Sequence, residues 1–203
     1  MTDSQQIVYI VEDDEAVRDS LEMMLVSMEH KVETFPTANA FLESYSEAMA
    51  GCIVLDIRMP GMDGMELQKE LNSRNSILPI IFVTGHGDVP MAVEAMQLGA
   101  IDFIQKPYRE QELLEKIKAA LELDAEQRES LTEKKEIIRR LEELTPREKE
   151  IMDMMIEGHA NKVIAIDLDI SQRTVEIHRS RVMHKMGTHS LAHLVRMVLM
   201  VKE

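Results

Sequence analysis

The stretch Cys52-Ile53-Val54-Leu55-Asp56-Ile57-Arg58-Met59-Pro60-Gly61-Met62-Asp63-Gly64 decides the fold. An apolar run ends in one carboxylate and then a Pro/Gly-rich turn, as when a strand buried on both faces delivers a single acid to the edge of a parallel sheet. In an open α/β sheet, ligands bind in the crevice beyond the carboxyl ends of the strands, so Asp56 stands where a site belongs. Further apolar runs lie at 7–11, 80–83 and 101–104, with a weaker one at 31–35, and helix-like stretches separate them. That alternation builds βαβ units. The expected fold is a doubly wound five-stranded parallel sheet, followed by a smaller all-α domain.

The other strand ends supply partners for Asp56. Glu12 and Asp13 close the first strand, Thr84 the fourth and Lys106 the fifth. Lys106 precedes Pro107, which keeps it extended and directed out of the strand end. Three converging carboxylates repel one another unless a cation neutralises them, and an all-oxygen set with room for water suits Mg²⁺. The metal, the Lys106 ammonium and the Thr84 hydroxyl would then stabilise a phosphoryl group moving onto Asp56. Each residue alone is ordinary turn chemistry, and the signal lies in their joint occurrence. His86, in Thr-Gly-His-Gly-Asp, reads as a loop bystander.

Composition limits the alternatives. The 203 residues allow two modest domains. One cysteine, Cys52, forbids an internal disulfide or a thiolate metal site and reads as a core residue in a reducing compartment. The N-terminus lacks a basic region followed by an apolar stretch, and no segment approaches a membrane span, so the expected location is cytoplasmic. The net charge of −14 is unevenly distributed. Residues 144–203 hold nine Lys/Arg against eight Asp/Glu, a net of +1, which leaves −15 on residues 1–143. An acidic domain is thus joined to one that tolerates a polyanion.

From Tyr108 to Leu144 there is no Gly or Pro, and the residues favour helix. Leu114, Ile117, Leu121, Leu131 and Ile138 share a seven-residue register, but Asp124, Arg128 and Lys135 interrupt the same seam. The expected organisation is a first domain over 1–124, a helical linker over 125–143 and a second domain over 144–203. Thr145-Pro146-Arg147-Glu148 opens a helix with a cap, a first-turn proline and a glutamate that reaches back. Gly158 ends it, Asn161 caps the next, Ser171 caps a helix to about Met186, and Ser190 caps the last. Two of these helices joined by a three-residue turn make a helix-turn-helix.

On the helix from Gln172, Val175, Val182 and Met186 share a stripe that faces the small core. Arg173, Glu176, Ile177, Ser180, Arg181 and His184 lie toward the opposite side. An exposed Ile among polar residues suits a major groove, where it meets a thymine methyl while Glu176 accepts from cytosine and Arg173 or Arg181 reach phosphate or guanine. Lys162 on the preceding helix is placed at phosphate. Thr174 and Lys185 complete the expected DNA-binding set. The last helix, apolar over more than one face, is expected to pair in part with a second copy.

Residues 5–125 resemble the receiver domain of two-component response regulators, a flavodoxin-like fold whose acidic pair, phosphoacceptor Asp, Thr/Ser and Lys-Pro match Glu12/Asp13, Asp56, Thr84 and Lys106. Spacing to Arg18 puts Glu12 and Asp13, rather than Asp14, in the family's register. Many receivers carry Asp where Glu12 stands. Residues 144–203 resemble the LuxR-type DNA-binding domain, through Leu-Thr-Pro-Arg-Glu-Lys-Glu-Ile, the Gly158–Ala165 segment and Ile-Ser-Gln-Arg-Thr-Val-Glu-Ile-His-Arg. Together the halves are similar to the NarL/FixJ class, on its FixJ branch. The resemblance implies that the Arg58 backbone carbonyl completes the metal shell and that Phe103 rotates in step with Thr84. It further implies a histidine kinase as phosphoryl donor, one Mg²⁺ per receiver, homodimerisation on phosphorylation and a twofold double-stranded DNA site. The expected function is phosphorylation-controlled transcription regulation, with self-phosphorylation and autodephosphorylation at Asp56 as the only chemistry. The alternatives are a Mg²⁺-dependent phosphoryl-transfer or aspartyl-phosphate hydrolase enzyme and an interaction module without DNA binding.

Overall fold

A computed structural model describes residues 6–85 and 89–202 of the chain. The first elements alternate as the apolar runs require: β1 (Ile7–Val11), α1 (Glu15–Ser27), β2 (Lys31–Phe35), α2 (Ala38–Ser44), β3 (Gly51–Leu55), α3 (Gly64–Ser73), β4 (Ile80–Thr84), α4 (Val89–Gln97) and β5 (Asp102–Gln105). The helix α5 (Glu110–Glu142) follows, then α6 (Pro146–Ile156), α7 (Asn161–Asp167), α8 (Gln172–Lys185) and α9 (Leu191–Lys202). The five strands form one parallel sheet in the order β2-β1-β3-β4-β5. The order reverses beside β1, which makes the switch point between β1 and β3 the crevice for a ligand.

Alternation along the strands sorts the core into two layers. Tyr9, Val11, Ile53, Leu55 and Phe82 face one side and pack with Phe41 of α2, Leu67 and Leu71 of α3 and Ala95 of α4. Val8, Ile10, Cys52, Val54, Ile81 and Val83 face the other and pack with Leu21 and Leu25 of α1 and Leu113 and Ile117 of α5. Every residue of β3 and β4 is buried, as expected for central strands covered by helices on both faces. Burial pushes the Cys52 thiol up to about 12, with the Asp124 charge adding to the effect, so Cys52 is an inert core group.

The chain divides after Arg128 into two compact units, residues 1–128 and 129–203. The division falls inside α5, whose two ends serve different cores. In the first unit Asp124 is fully buried. It accepts the Gly51 amide at 2.9 Å and Gln6 Nε2 at 3.2 Å, and pairs with Arg128 at 2.8 Å. Charged residues that interrupt the apolar register are therefore an anchor for the start of β3. In the second unit Ile137 and Leu144 are buried with Ile151, Ile164, Val175, Val182, Met186 and Leu194. The segment expected as linker thus contributes to this core.

Local signals set most of the second unit's helix ends. Thr145 accepts the Glu148 amide and Glu148 reaches back to the Thr145 amide, with Pro146 opening α6. Gly158, at φ 87°, follows the end of α6, Ser171 caps α8 through the Thr174 amide, and Ser190 accepts the His193 amide. Asn161 does not cap α7. Ala160 occupies the cap position without a side-chain bond, and Asn161 is the first helical residue, because the Ala160 carbonyl already accepts Val163 and Ile164 amides.

Glu148 is nearly fully buried, and Lys185 Nζ lies 2.7 Å from its Oε2. Burial pushes its pKa up, but hydrogen bonds from Lys185 and from the Thr145 amide outweigh burial and bring it down to about 2. A depressed carboxylate pKa contributes stability that is present above the ordinary value and lost as pH falls through the folded one. The stability difference between wild type and Glu148→Gln is expected to hold at neutral pH and to shrink from about pH 5 toward 2 in urea titrations. Asp124→Ala leaves the Gly51 amide and Arg128 without their buried partner. It is expected to cost the first unit about 3–5 kcal/mol, read from urea unfolding followed by circular dichroism.

Candidate functional site

Register brings the acids together. Val11 of β1 lies beside Leu55 of β3, so Glu12 and Asp56 leave adjacent strands at one level, and the Asp56 amide donates to the Val11 carbonyl at 2.9 Å. Carboxylate oxygens of Glu12, Asp13 and Asp56 all lie within 4.8 Å of one another. Glu12 is buried, Asp56 half-buried and Asp13 exposed, so the cluster opens to solvent on one side. Asp14 is excluded because its side chain caps α1, accepting the Ala16 and Val17 amides. Arg18 donates to the Glu12 carbonyl at 2.9 Å and holds this strand end from α1.

The turn after Asp56 is built around it. The Arg58 amide donates to Asp56 Oδ1 at 3.3 Å. Asp63 and Glu66 form a capping box that starts α3. Gly64 returns so close to the strand that a Cβ there would stand 2.3 Å from the Asp56 carbonyl oxygen, and only glycine fits without displacing backbone. The close of the apolar run and the opening of α3 are therefore locked together.

Lys106 reaches the site from the end of β5. Its amide donates to the Thr84 carbonyl at 2.8 Å, and its ammonium lies 2.7 Å from Glu12 Oε2 and 3.3 Å from Asp56 Oδ2. Burial raises the Glu12 pKa and the Asp56 charge raises it further, against the lowering effect of the Lys106 hydrogen bond. Burial alone would lower the Lys106 pKa, but the hydrogen bond and charge of Glu12, then Asp56, hold it above its ordinary value. Thr84 is buried at the end of β4, and Phe103 is half-buried with its ring 6.3 Å from that of Phe82. Every residue read as part of this site lies at its C-terminal strand edge or in β5 beside it, while His86 lies outside the described residues.

The oxygen set fits Mg²⁺: hard donors only, from three carboxylates. One ammonium against three carboxylates leaves a negative deficit that a divalent cation matches.

In the second unit, α8 presents Arg173, Glu176, Ile177, Ser180, Arg181 and His184 to solvent, and Lys162 is exposed on α7. Ile177 is 43% exposed, a large apolar side chain that its own unit covers only in part. Arg173 and Glu176 pair at 3.6 Å. Thr174 is partly withdrawn, its hydroxyl 2.8 Å from that of Ser171 at the helix start. Lys185, expected among the DNA-binding residues, is turned into the unit. Its ammonium serves Glu148 and, at 3.0 Å, the Glu143 carbonyl. A helical wheel shows only that Lys185 sits one turn from other polar residues. Its buried partner lies 37 positions away and has no periodicity to reveal it.

Comparison with known proteins bears on both units. Residues 8–118 match the response regulator receiver domain, and residues 142–198 match the bacterial regulatory proteins of the luxR family. The response regulator protein TodT of Pseudomonas putida is 41% identical over 203 residues, all of this chain and 89% of that protein. The transcriptional regulatory protein FixJ of Azorhizobium caulinodans is 46% identical over 193 residues, 95% of this chain and 92% of that one. Among solved structures, the response regulator StyR aligns over 96% of this chain and 98% of its own with a TM-score of 0.88 and 43% identity. Full-length FixJ from B. japonicum aligns over 98% of each with a TM-score of 0.59 and 42% identity. The chain belongs to the two-component response regulators that join a receiver to a LuxR-type DNA-binding domain, and it is a phosphorylation-controlled transcription regulator.

Proposed function

We propose that Asp56 accepts the phosphoryl group from a histidine kinase and that the acquired charge drives dimerisation and DNA binding. The observation that carries this reading is the Lys106 ammonium bridging Glu12 and Asp56 inside the three-carboxylate cluster. An Asp56 oxygen attacks phosphorus, the bond to the donor imidazole nitrogen breaks, and the imidazole leaves with its electron pair. Lys106 stays beside the attacking carboxylate and offers its ammonium to a phosphoryl oxygen. Thr84, one strand away, supplies a hydroxyl to another. Glu12, Asp13, Asp56 and the Arg58 carbonyl are the proposed Mg²⁺ ligands, and the ion when bound neutralises phosphoryl charge. The same carboxylates orient water for the slow return reaction, so the chain's own chemistry ends at phosphorylation and dephosphorylation of Asp56.

The response surface is the edge that carries α4 and β5. Val89, Val93 and Met96 are exposed on α4, an apolar row suited to burial against a second copy. Phe103 stands on the adjacent strand, where inward rotation accompanies Thr84 moving toward phosphate. In the second domain α8 enters the major groove. Ile177 meets a thymine methyl, Glu176 accepts from cytosine, Arg173 and Arg181 reach guanine or phosphate, and Ser180 and His184 extend the polar row. Lys162 contacts phosphate from α7. Leu191 and Leu199, exposed on α9, offer a second self-pairing face on a twofold site.

The deciding measurement is mass by light scattering together with duplex affinity, with and without Mg²⁺ and beryllofluoride, for wild type and Asp56→Asn. Wild type is expected to double in mass and bind DNA more tightly with both ligands present, and Asp56→Asn to do neither. Mg²⁺ binding without a change in mass or affinity would sink the proposed coupling. Duplex affinity that does not fall with salt would favour the interaction-module alternative.

A further inference from the structure

The ends of α5 and α8 are joined by a pair of reciprocal contacts. Arg140, in the last turn of α5, donates from Nη1 to the carbonyl of Met186, the residue that caps the end of α8, at 2.9 Å. Lys185, the last residue of α8, donates to the carbonyl of Glu143, just past the end of α5, at 3.0 Å. The final carbonyls of a helix have no partner within it and carry the negative end of its dipole. Here each helix's C-terminal carbonyl is met by a cation from the other. Nearby Ile137 of α5 is buried in the same cluster as Val182 and Met186 of α8.

Gly187 stands against this joint. This residue takes φ 65°, and a Cβ on it would stand 2.5 Å from Arg140 Nη1. Glycine there satisfies both the backbone conformation and the approach of the guanidinium. Arg140 is itself held from behind, its Nε donating to Glu136 Oε1 at 2.8 Å. Lys185 is held by the buried Glu148. Neither cation is free to swing.

We infer that Arg140 and Lys185 are positioning residues for DNA recognition: they fix the tilt of α8 from its C-terminal end without touching DNA themselves. The inference rests on α8 being the base-reading helix. The proposed base contacts of Arg173, Glu176 and Ile177 lie in the N-terminal half of the helix, away from this joint. A helix of fourteen residues is about 21 Å long, so a pivot of about 3° at its C-terminus displaces the reading end by roughly 1 Å. That is enough to break a bidentate contact to a base edge. It leaves the diffuse attraction of the same side chains for phosphate intact.

The test uses the full chain and two probes, each over a range of salt: a duplex that wild type selects from a random library, and sheared non-specific DNA. Arg140→Met keeps the apolar stem and removes the donors. It is expected to weaken binding to the selected duplex on the order of tenfold, with non-specific affinity and both salt slopes unchanged. Arg140→Lys, which restores one donor, is expected to recover part of that loss. Lys185→Met is expected to behave as Arg140→Met. If it instead weakens both probes and lowers the salt slope by about 1, Lys185 sits at phosphate and the inference falls. It also falls if Arg140→Met binds the selected duplex as wild type does. Since Lys185→Met leaves Glu148 unpaired, circular dichroism accompanies it, and Arg140→Met decides if that variant unfolds. Failure of wild type to select any duplex would overturn the reading of α8 itself, an outcome separate from an unaffected variant.

Discussion

Three carboxylates gathered at one sheet edge are the constraint around which the first domain is organised. Two unit charges about 4 Å apart repel by roughly 4 kcal/mol at an effective dielectric near 20. The parallel register nevertheless forces Glu12 and Asp56 out of neighbouring strands at one level, and Asp13 follows Glu12. Lys106 offsets only part of this, which leaves the site short of positive charge. The same deficit makes it receptive to a divalent cation and to chemistry that redistributes charge at Asp56. Gly64, the capping box at Asp63 and the Arg18 contact to the Glu12 carbonyl all hold the backbone so that this repulsion cannot relax by splaying the loops.

A second constraint acts through α5. One helix of 33 residues supplies Leu113, Ile117 and Asp124 to the receiver core and Ile137 and Arg140 to the DNA-binding domain. An amphipathic helix serving a single core would show one apolar stripe. This one changes partners near Arg128, and its pattern is broken there by Asp124, Arg128 and Lys135. A buried carboxylate at the break would be costly without partners, and it has three: an amide, a side-chain amide and a guanidinium.

Most of the fold was legible because its signals are local or periodic. The five strands fall where the apolar runs place them, and Thr145, Ser171 and Ser190 cap as their spacing implies. Asn161 misled because a preferred cap residue one position inside the helix looks the same in sequence as one at its start. The receiver site was legible for a different reason. Strand ends of a doubly wound sheet converge whatever the side chains are, so five residues at five strand-end positions can be assembled without seeing them. What could not be read were the pairings made across long separations between residues of ordinary type: Asp124 with Gly51, and Glu148 with Lys185. Nothing in the spacing of a buried ion pair distinguishes it from two solvated charges.

The reassignment of Lys185 alters the electrostatics of DNA binding. With Lys185 committed to Glu148, the exposed cations on and beside the proposed reading face reduce to Lys162, Arg173 and Arg181, in a domain whose net charge is about +1. Three phosphate contacts release few counterions, for a salt slope of roughly −3, and such a domain alone holds DNA weakly at physiological salt. Two copies on a twofold site double the contacts and raise the slope to roughly −5, while the linked second copy binds at high effective concentration. In the proposed dimer, the scarcity of positive charge on each copy is what would give pairing its leverage. A strongly basic domain would bind as a monomer and leave phosphorylation little to control. The acidic residues 1–143, at −15, repel the phosphate backbone as well and lower what each copy's contacts can hold.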